Sequence, residues 1–371
     1  MHLDVGQTFS VAVTDDLKLY TWGLNDFLQL GRSTVYSHLH SAPDYAKPLS
    51  KLLPKQVACG DDHGLLLDYN GNVYTWGANQ NGQLGVGNSR YVSSIVNLKR
   101  LGKNIKYIAT QGKTSYVINE SGNVLKWPNP ENVDKFTPCP VQIRDPSHKF
   151  VSISCGTRYV IALTNTGLLF GHGKNEFGQL GLGDYQDRDG FVNLKHFKDH
   201  GNKITQISCG HAHAVARNSS GAIFSWGLNA NGQLGTGNLE TTNLPKSIRI
   251  YDYKNNSYKV RCAQAGYAST NILCEDKRVY FAGVDTTTIK DIKLFTRLNY
   301  EQKIFKSKLP DDYSPVKLYT KWSHSIQVTY MVYADFRGCS ETKLMREKIL
   351  QNIVKQWESC YHQSKFFLLI F

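Results

Sequence analysis

The sequence predicts an all-β protein: a seven-bladed β-propeller of antiparallel four-stranded blades, followed by a C-terminal amphipathic helix. Three observations carry this expectation. The stretch YTWGANQNGQLGVGN at 74 to 88 returns as YTWGLNDFLQLGR at 20 to 32, LFGHGKNEFGQLGLGD at 169 to 184 and FSWGLNANGQLGTGN at 224 to 238. Aligned on the tryptophan, the copies fall at Trp22, Trp76, Trp127, His172, Trp226, Ala282 and Asp335, at separations of 54, 51, 45, 54, 56 and 53 residues. Each copy reads as a small meander of strands, and a lone four-stranded sheet must stack on neighbours to bury both faces.

The unit VACGDDHGLLLDYNGNVYTWG opens at Val57 with a strand closing on Cys59-Gly60, continues with an apolar strand, and ends with the Val-Tyr-x-Trp-Gly strand. Asn70-Gly71 joins the last two and predicts a type I′ hairpin, in which both turn residues take positive φ. Copies lie near 1–32, 55–88, 105–128, 150–184, 204–238, 260–284 and 316–336. The propeller thus spans 1–336, and 337–371 hold the helix and an apolar tail. The third, sixth and seventh copies are weaker; the third loses the Gly-rich turn and the seventh keeps little beyond strand pattern and His324.

A tryptophan sandwiched between blades buries on the order of 200 Å², worth ~5 kcal/mol as an upper bound. Trp22, Trp76, Trp127 and Trp226 are therefore read as packing between blades. The Gly-Gln-Leu-Gly turn is read as structural too: its glycines permit left-handed turns, and Gln83, Gln179 and Gln233 can satisfy loop backbone groups. It lacks the Lys-Ser/Thr ending of a phosphate loop and opens no predicted helix.

Aromatic residues make up 12% of the chain, with 31 Gly and only 11 Pro, which suits a folded, turn-rich β protein. No secretory signal is visible in MHLDVGQTFSVAVTDD, and the longest apolar block, FFLLIF, has six residues, so the chain is expected to be soluble and intracellular, in the cytoplasm with the nucleus as the alternative. Cys59, Cys155 and Cys209 share one repeat position before a glycine, and no Cys-x-x-Cys pair occurs. They are expected to be reduced, buried small hydrophobes.

Cys59-Gly60 with His63, Cys209-Gly210 with His213, Trp76-Gly77, Trp226-Gly227, and Gly-Gln-Leu-Gly at 82 to 85, 178 to 181 and 232 to 235 resemble the regulator of chromosome condensation repeat family. The resemblance covers residues 2 to about 336 and implies the propeller fold. The family holds exchange factors for the GTPase Ran, ubiquitin-ligase modules, kinase-associated domains and cytoskeletal or ciliary adaptors, so it leaves the function open. The wedge inserted in one blade that exchange on Ran requires is not found; the connections at 89 to 105 and 128 to 150 are of ordinary length. A basic N-terminal tail of the kind that helps that protein sit on chromatin is also missing.

No catalytic set, cofactor or metal site is predicted. Gly112-Lys113-Thr114 resembles the end of a phosphate loop, but Tyr107 stands where the motif needs glycine. His63, His213 and His324 share one repeat position, where three imidazoles could hold zinc if they converged. The same slot holds Phe9, Thr114, Tyr159 and Ser269, which favours packing. No Ser-His-Asp order or kinase signature stands out.

The net charge of +13 points to acidic partners, whether tubulin tails, other anionic protein surfaces or nucleic acid. Lys99, Arg100, Lys103 and Lys106 cluster in one connection between blades, and Lys303, Lys306 and Lys308 in another. The longer connections at 33–54 and 285–315 are expected to bind partners. From Ser340, Met345, Ile349, Ile353 and Trp357 mark the apolar face of a helix that must be covered by the last blade or by a partner. FFLLIF is expected to return as the missing strand of the last blade. Together these readings predict a non-enzymatic interaction scaffold or adaptor, with a cytoskeletal or ciliary assembly as its expected setting. Exchange on a small GTPase and chromatin or nucleic-acid binding are the alternatives.

Overall fold

The computed structural model describes residues 2–14, 16–32, 41–89, 95–128, 138–141, 148–197, 203–250, 259–275, 278–285, 290–297, 313–323, 326–335 and 367–370. Six four-stranded sheets follow one another along the chain. The first holds β1 (His2–Val5), β2 (Phe9–Val13), β3 (Leu19–Gly23) and β4 (Ser41–Tyr45). The second holds β5 (Pro54–Cys59), β6 (His63–Asp68), β7 (Val73–Gly77) and β8 (Val96–Asn97), and the third β9 (Ile105–Gln111), β10 (Thr114–Asn119), β11 (Val124–Trp127) and β12 (Cys139–Pro140). The fourth holds β13 (Phe150–Cys155), β14 (Tyr159–Thr164), β15 (Leu169–Gly173) and β16 (Arg188–Asn193). The fifth holds β17 (Ile204–Cys209), β18 (His213–Asn218), β19 (Ile223–Gly227) and β20 (Thr242–Ile248), and the sixth β21 (Val260–Ala265), β22 (Ser269–Cys274), β23 (Val279–Asp285) and β24 (Lys290–Arg297).

The sequence predicts seven four-stranded blades, and among the described residues six are found. The last sheet has three strands, β25 (Tyr313–Ser323), β26 (Ile326–Asp335) and β27 (Phe367–Ile370), and β27 runs parallel to β26. The apolar tail does return to the last copy's sheet, but as a parallel neighbour, which no hairpin can supply. The predicted C-terminal helix, with Met345, Ile349, Ile353 and Trp357, lies outside the described residues. Among the described residues no helix is long and apolar enough to cross a membrane.

The chain divides into two compact units. The first comprises residues 1–157, 162–166 and 189–192, the second 158–161, 167–188 and 193–371, so the fourth sheet contributes to both.

The second strand of each meander shows why stacking is obligatory. Every residue of β6, β14 and β22 is buried, on both faces of the strand, as in a sheet covered on two sides. Opposite each tryptophan stands a small residue: Ser10 faces Trp22, Gly64 faces Trp76, Ser115 faces Trp127 and Ala214 faces Trp226. Gly64 has no room for more, since a Cβ there would lie 2.2 Å from Trp76 Cζ2.

One local expectation is corrected. The Asn70-Gly71 hairpin is not type I′, because Gly71 takes φ 80° while Asn70 keeps negative φ. The Asp68 carboxylate decides this by accepting the amides of Asn70 (2.9 Å) and Asn72 (2.8 Å), an Asx turn that holds the loop open by two residues. The two long connections also hold strands that the sequence reading left unassigned. Residues 41–45 are the fourth strand of the first blade, followed by a one-turn helix α1 (Lys47–Ser50) whose Leu49 is buried, and 290–297 are the fourth strand of the sixth.

Candidate interaction surfaces

The repeated Gly-rich turn is a socket for the neighbouring blade. In each of four copies an asparagine at its start, Asn25, Asn79, Asn175 or Asn229, is fully buried, and its Oδ1 accepts the amide of Leu30, Leu84, Leu180 or Leu234 at 2.9–3.1 Å. The glutamine Oε1 accepts the amide two residues before it: Gln29 from Phe27, Gln83 from Asn81, Gln179 from Phe177 and Gln233 from Asn231, at 2.8–2.9 Å. The role read from sequence for Gln83, Gln179 and Gln233 is found; that of the four asparagines was missed, although their fixed place five residues before the leucine was a readable signal.

With its side chain so engaged, the glutamine turns its own carbonyl to the next blade. Trp76 Nε1 donates to Gln29 O (2.8 Å), Trp127 Nε1 to Gln83 O (2.8 Å) and Trp226 Nε1 to Gln179 O (2.9 Å). The last glycine of the turn lies beneath the incoming indole: a Cβ on Gly85 would sit 2.7 Å from Trp127 Nε1, and one on Gly181 2.8 Å from Trp226 Nε1. In the sixth sheet, where Ala282 replaces the tryptophan, Thr270 Oγ1 donates to Gln233 O at 2.7 Å instead. The donor survives the loss of the indole.

The repeated histidines belong to the same system. Ser115 Oγ donates to Gln83 O (3.0 Å) and lies 2.9 Å from His63 Nε2; Thr270 Oγ1, with its hydrogen on Gln233 O, lies 3.1 Å from His213 Nε2. A hydroxyl has one hydrogen, so in both pairs the imidazole Nε2 must be the donor, which places a hydrogen on Nε2. Burial pushes His213 down to about 3. Packing against the histidine also explains Cys-Gly: a Cβ on Gly60 would lie 2.1 Å from His63 Cε1 and 2.6 Å from Gly112 O. Gly60→Ala is expected to cost about 1–3 kcal/mol through overpacking, read as a lower urea midpoint; an unchanged midpoint would show that the ring moves aside freely.

The other candidates sort quickly. His324 lies outside the described residues, and among those described no group of three or more His, Cys, Asp or Glu side chains is placed to hold a metal. Gly112-Lys113-Thr114 is the tight turn from β9 into β10, and Gly112 O accepts the Asp61 amide at 2.8 Å. Cys59 is buried, but Cys155 and Cys209 are half-buried, a correction to the uniform burial expected from their shared repeat position.

Solvent meets a different set of residues. Lys99 and Arg100 lie on a 3-10 turn (Lys99–Leu101) after β8, with Lys103 and Lys106 following, and all four are exposed. Lys106 Nζ is 2.6 Å from Glu120 Oε1, an exposed pair that contributes little to stability. Lys303, Lys306 and Lys308 lie outside the described residues. The second unit carries an apolar patch that sequence reading missed: Phe177, Tyr185 and Leu244 are exposed around the Gly-rich turn, where Gly183 N donates to Asn243 O at 3.0 Å.

Comparison with known proteins agrees with this internal logic. A profile described as the Regulator of chromosome condensation (RCC1) repeat matches residues 18–67, 70–109, 166–217 and 220–270, and a second of the same description matches 55–83 and 204–233. The chain belongs to the RCC1 repeat family. It is 31% identical over 281 residues to the ultraviolet-B receptor UVR8 of Arabidopsis thaliana, covering 73% of this chain and 61% of that protein. It is 29% identical over 297 residues to the probable E3 ubiquitin-protein ligase HERC3 of Homo sapiens, covering 73% of this chain and 28% of that one. The chain therefore spans less than two thirds of these relatives. Among solved structures it is similar to human WBSCR16 (TM-score 0.70, 22% identity, 86% of this chain and 84% of that one). It is likewise similar to Prp20p of Saccharomyces cerevisiae (TM-score 0.69, 22% identity, 85% and 79%), a protein described with its binding to Gsp1p and histones. These likenesses show the RCC1-type β-propeller fold.

Proposed function

We propose that this RCC1-repeat chain is a non-catalytic protein-interaction scaffold whose partners carry acidic surfaces. The observation that carries the reading is a division of labour. The polar groups that recur with the repeat are engaged, the asparagine and glutamine side chains in building the turn and the indoles and histidines in holding blade to blade, whereas the exposed residues include cations such as Lys99, Arg100 and Lys103 and an apolar patch at Phe177, Tyr185 and Leu244. Rigid sheets with variable, charged connections suit docking, because no ordering cost falls on the scaffold when a partner binds. Tubulin's acidic tails in a cytoplasmic cytoskeletal or ciliary assembly are one surface of this chemistry; exchange on a small GTPase and histone binding, suggested by what Prp20p binds, are the rival outcomes.

The test is affinity purification of the tagged chain from its native cell at low and moderate salt, with bound proteins identified by mass spectrometry and nucleotide release measured on any GTPase recovered. Stoichiometric recovery of acidic, non-nucleotide-binding proteins is the expected result. A recovered GTPase that loses its nucleotide on contact, or histones alone, would overturn the reading.

A further inference from the structure

We propose that the second and third blades and the lead-in to the fourth, all within the first unit, present a built docking surface for an acidic polypeptide segment bearing an apolar side chain, formed by Lys99, Arg100, Lys103 and Lys149 together with Leu53 and Tyr69. The inference deepens the scaffold reading and rests on it.

The chain brings these residues together through backbone contacts. A Cβ on Gly71 would lie 2.0 Å from Lys103 O, so the hairpin of residues 68–72 is seated directly on the turn that carries Lys103. Glu120 N donates to Asn104 O at 2.7 Å, which seats the next hairpin, 119–123, on the other side of that turn. A Cβ on Gly122 would lie 2.6 Å from Lys149 Cα, and Phe150 N donates to Gly122 O at 3.1 Å. Hairpin, basic turn, hairpin and Lys149 are therefore continuous. Lys99, Arg100, Lys103 and Lys149 are all exposed along this run.

The acids offset these cations only in part. Within these segments the carboxylates are Asp68, buried beneath its own hairpin amides, and Glu120, held by Lys106. The lysine position is also independent of the fold's needs. Lys149, Lys203 and Lys259 each immediately precede the first strand of a blade, and their backbone carbonyls accept Asn165 N, Ser219 N and Glu275 N at 2.8–2.9 Å. That work requires a carbonyl only, yet a lysine side chain stands at all three.

Two features favour a polypeptide over a nucleic acid. At the edge of the run Pro54 pairs with Asp68, which places Leu53 and Tyr69, 53% and 62% exposed, at the ends of neighbouring strands as an apolar anchor beside the cations. Glu120 interrupts the basic run, which opposes a phosphate chain with one charge per nucleotide but leaves a peptide free to place a neutral residue there. Charge complementarity of this kind sets both encounter rate and specificity.

The test measures binding of the full chain to a fluorescein-labelled Glu-rich peptide with one central Phe, and to a labelled oligothymidylate, by fluorescence polarisation at low and moderate salt. Lys103→Gln with Lys149→Gln is expected to weaken peptide binding by about tenfold. The equal-charge control Lys246→Gln with Arg249→Gln, on exposed residues of the fifth blade and its exit, is expected to change it by less than about twofold. Glu120→Gln is expected to tighten it by roughly two- to fivefold, and Tyr69→Ala to weaken binding of the Phe peptide more than of an all-polar one. Urea midpoints of all variants should stay at the parent value, since these side chains face solvent. Equal losses in test and control variants would reduce the effect to net charge, and tighter binding of the oligothymidylate with loss in the same variant would make the surface a nucleic-acid one. Native partners retained by Lys103→Gln with Lys149→Gln would sink the surface and leave the scaffold reading standing; peptide binding as expected with no native partner recovered would do the reverse.

Discussion

Trp127→Ala is expected to lower the unfolding free energy by about 3–5 kcal/mol. The indole is fully buried among Leu65, Leu67, Val73, Leu98, Ile105, Ile108 and Val117 of the second and third blades, over Gly85 with no space for a Cβ beneath it. Truncation leaves a cavity that the rigid sheets on either side cannot close. The carbonyl of Gln83 keeps a partner, because Ser115 Oγ also donates to it at 3.0 Å, so the loss is mostly cavity and contact. Trp127→Phe, which retains most of the apolar surface, is therefore expected to cost only about 1–2 kcal/mol, near the value of one hydrogen bond. Urea unfolding at constant slope separates the two variants. Equal losses would mean that the indole N–H, and not the packing, is the lock.

Acid is expected to unfold the protein in part through His213. Burial holds its folded value near 3, while an exposed imidazole titrates near 6.5. Above about pH 6.5 both states are neutral and the group adds no pH dependence. Between about 6.5 and 3 the unfolded chain binds a proton that the folded one refuses, so stability falls by about 1.4 kcal/mol per pH unit as the pH drops, up to about 3 kcal/mol by pH 4. His213→Phe tests this cleanly, because the repeat already places Phe9 in the same slot and Thr270 Oγ1 keeps its bond to Gln233 O. Across pH 7 to 4 the variant is expected to lose close to one proton of slope in its urea midpoint series. An unchanged slope would show that His213 is solvated and free to ionise in the folded state.

Much of this was legible in the residues themselves. The period placed the first six meanders, aligned Trp22, Trp76, Trp127, His172, Trp226 and Ala282 on the third strand of each sheet, and identified Gln83, Gln179 and Gln233 as loop fasteners. These features are local: a strand of alternating or apolar residues, a turn of glycines and an amide two residues from its acceptor are encoded within some fifteen consecutive positions. The Asn70-Gly71 turn was misread because the choice between turn types lay with Asp68, outside the two residues that define the motif.

What only the tertiary structure decided involves partners far apart in sequence. The parallel seat of β27 on β26 joins residues 367–370 to 330–333, and no hairpin signal can announce a pairing across that gap. The compensation of Ala282 by Thr270 depends on a carbonyl in the preceding blade, as does the placing of a hydrogen on His213 Nε2. Tyr69, Lys103 and Lys149 sit in three different repeat units, and they form one surface because hairpins of successive blades rest on each other's connecting turns. A repeat sequence by itself determines the unit and its sockets, since those are written in short-range spacing; which exposed residues become neighbours is set by stacking, which acts between blades about fifty residues apart.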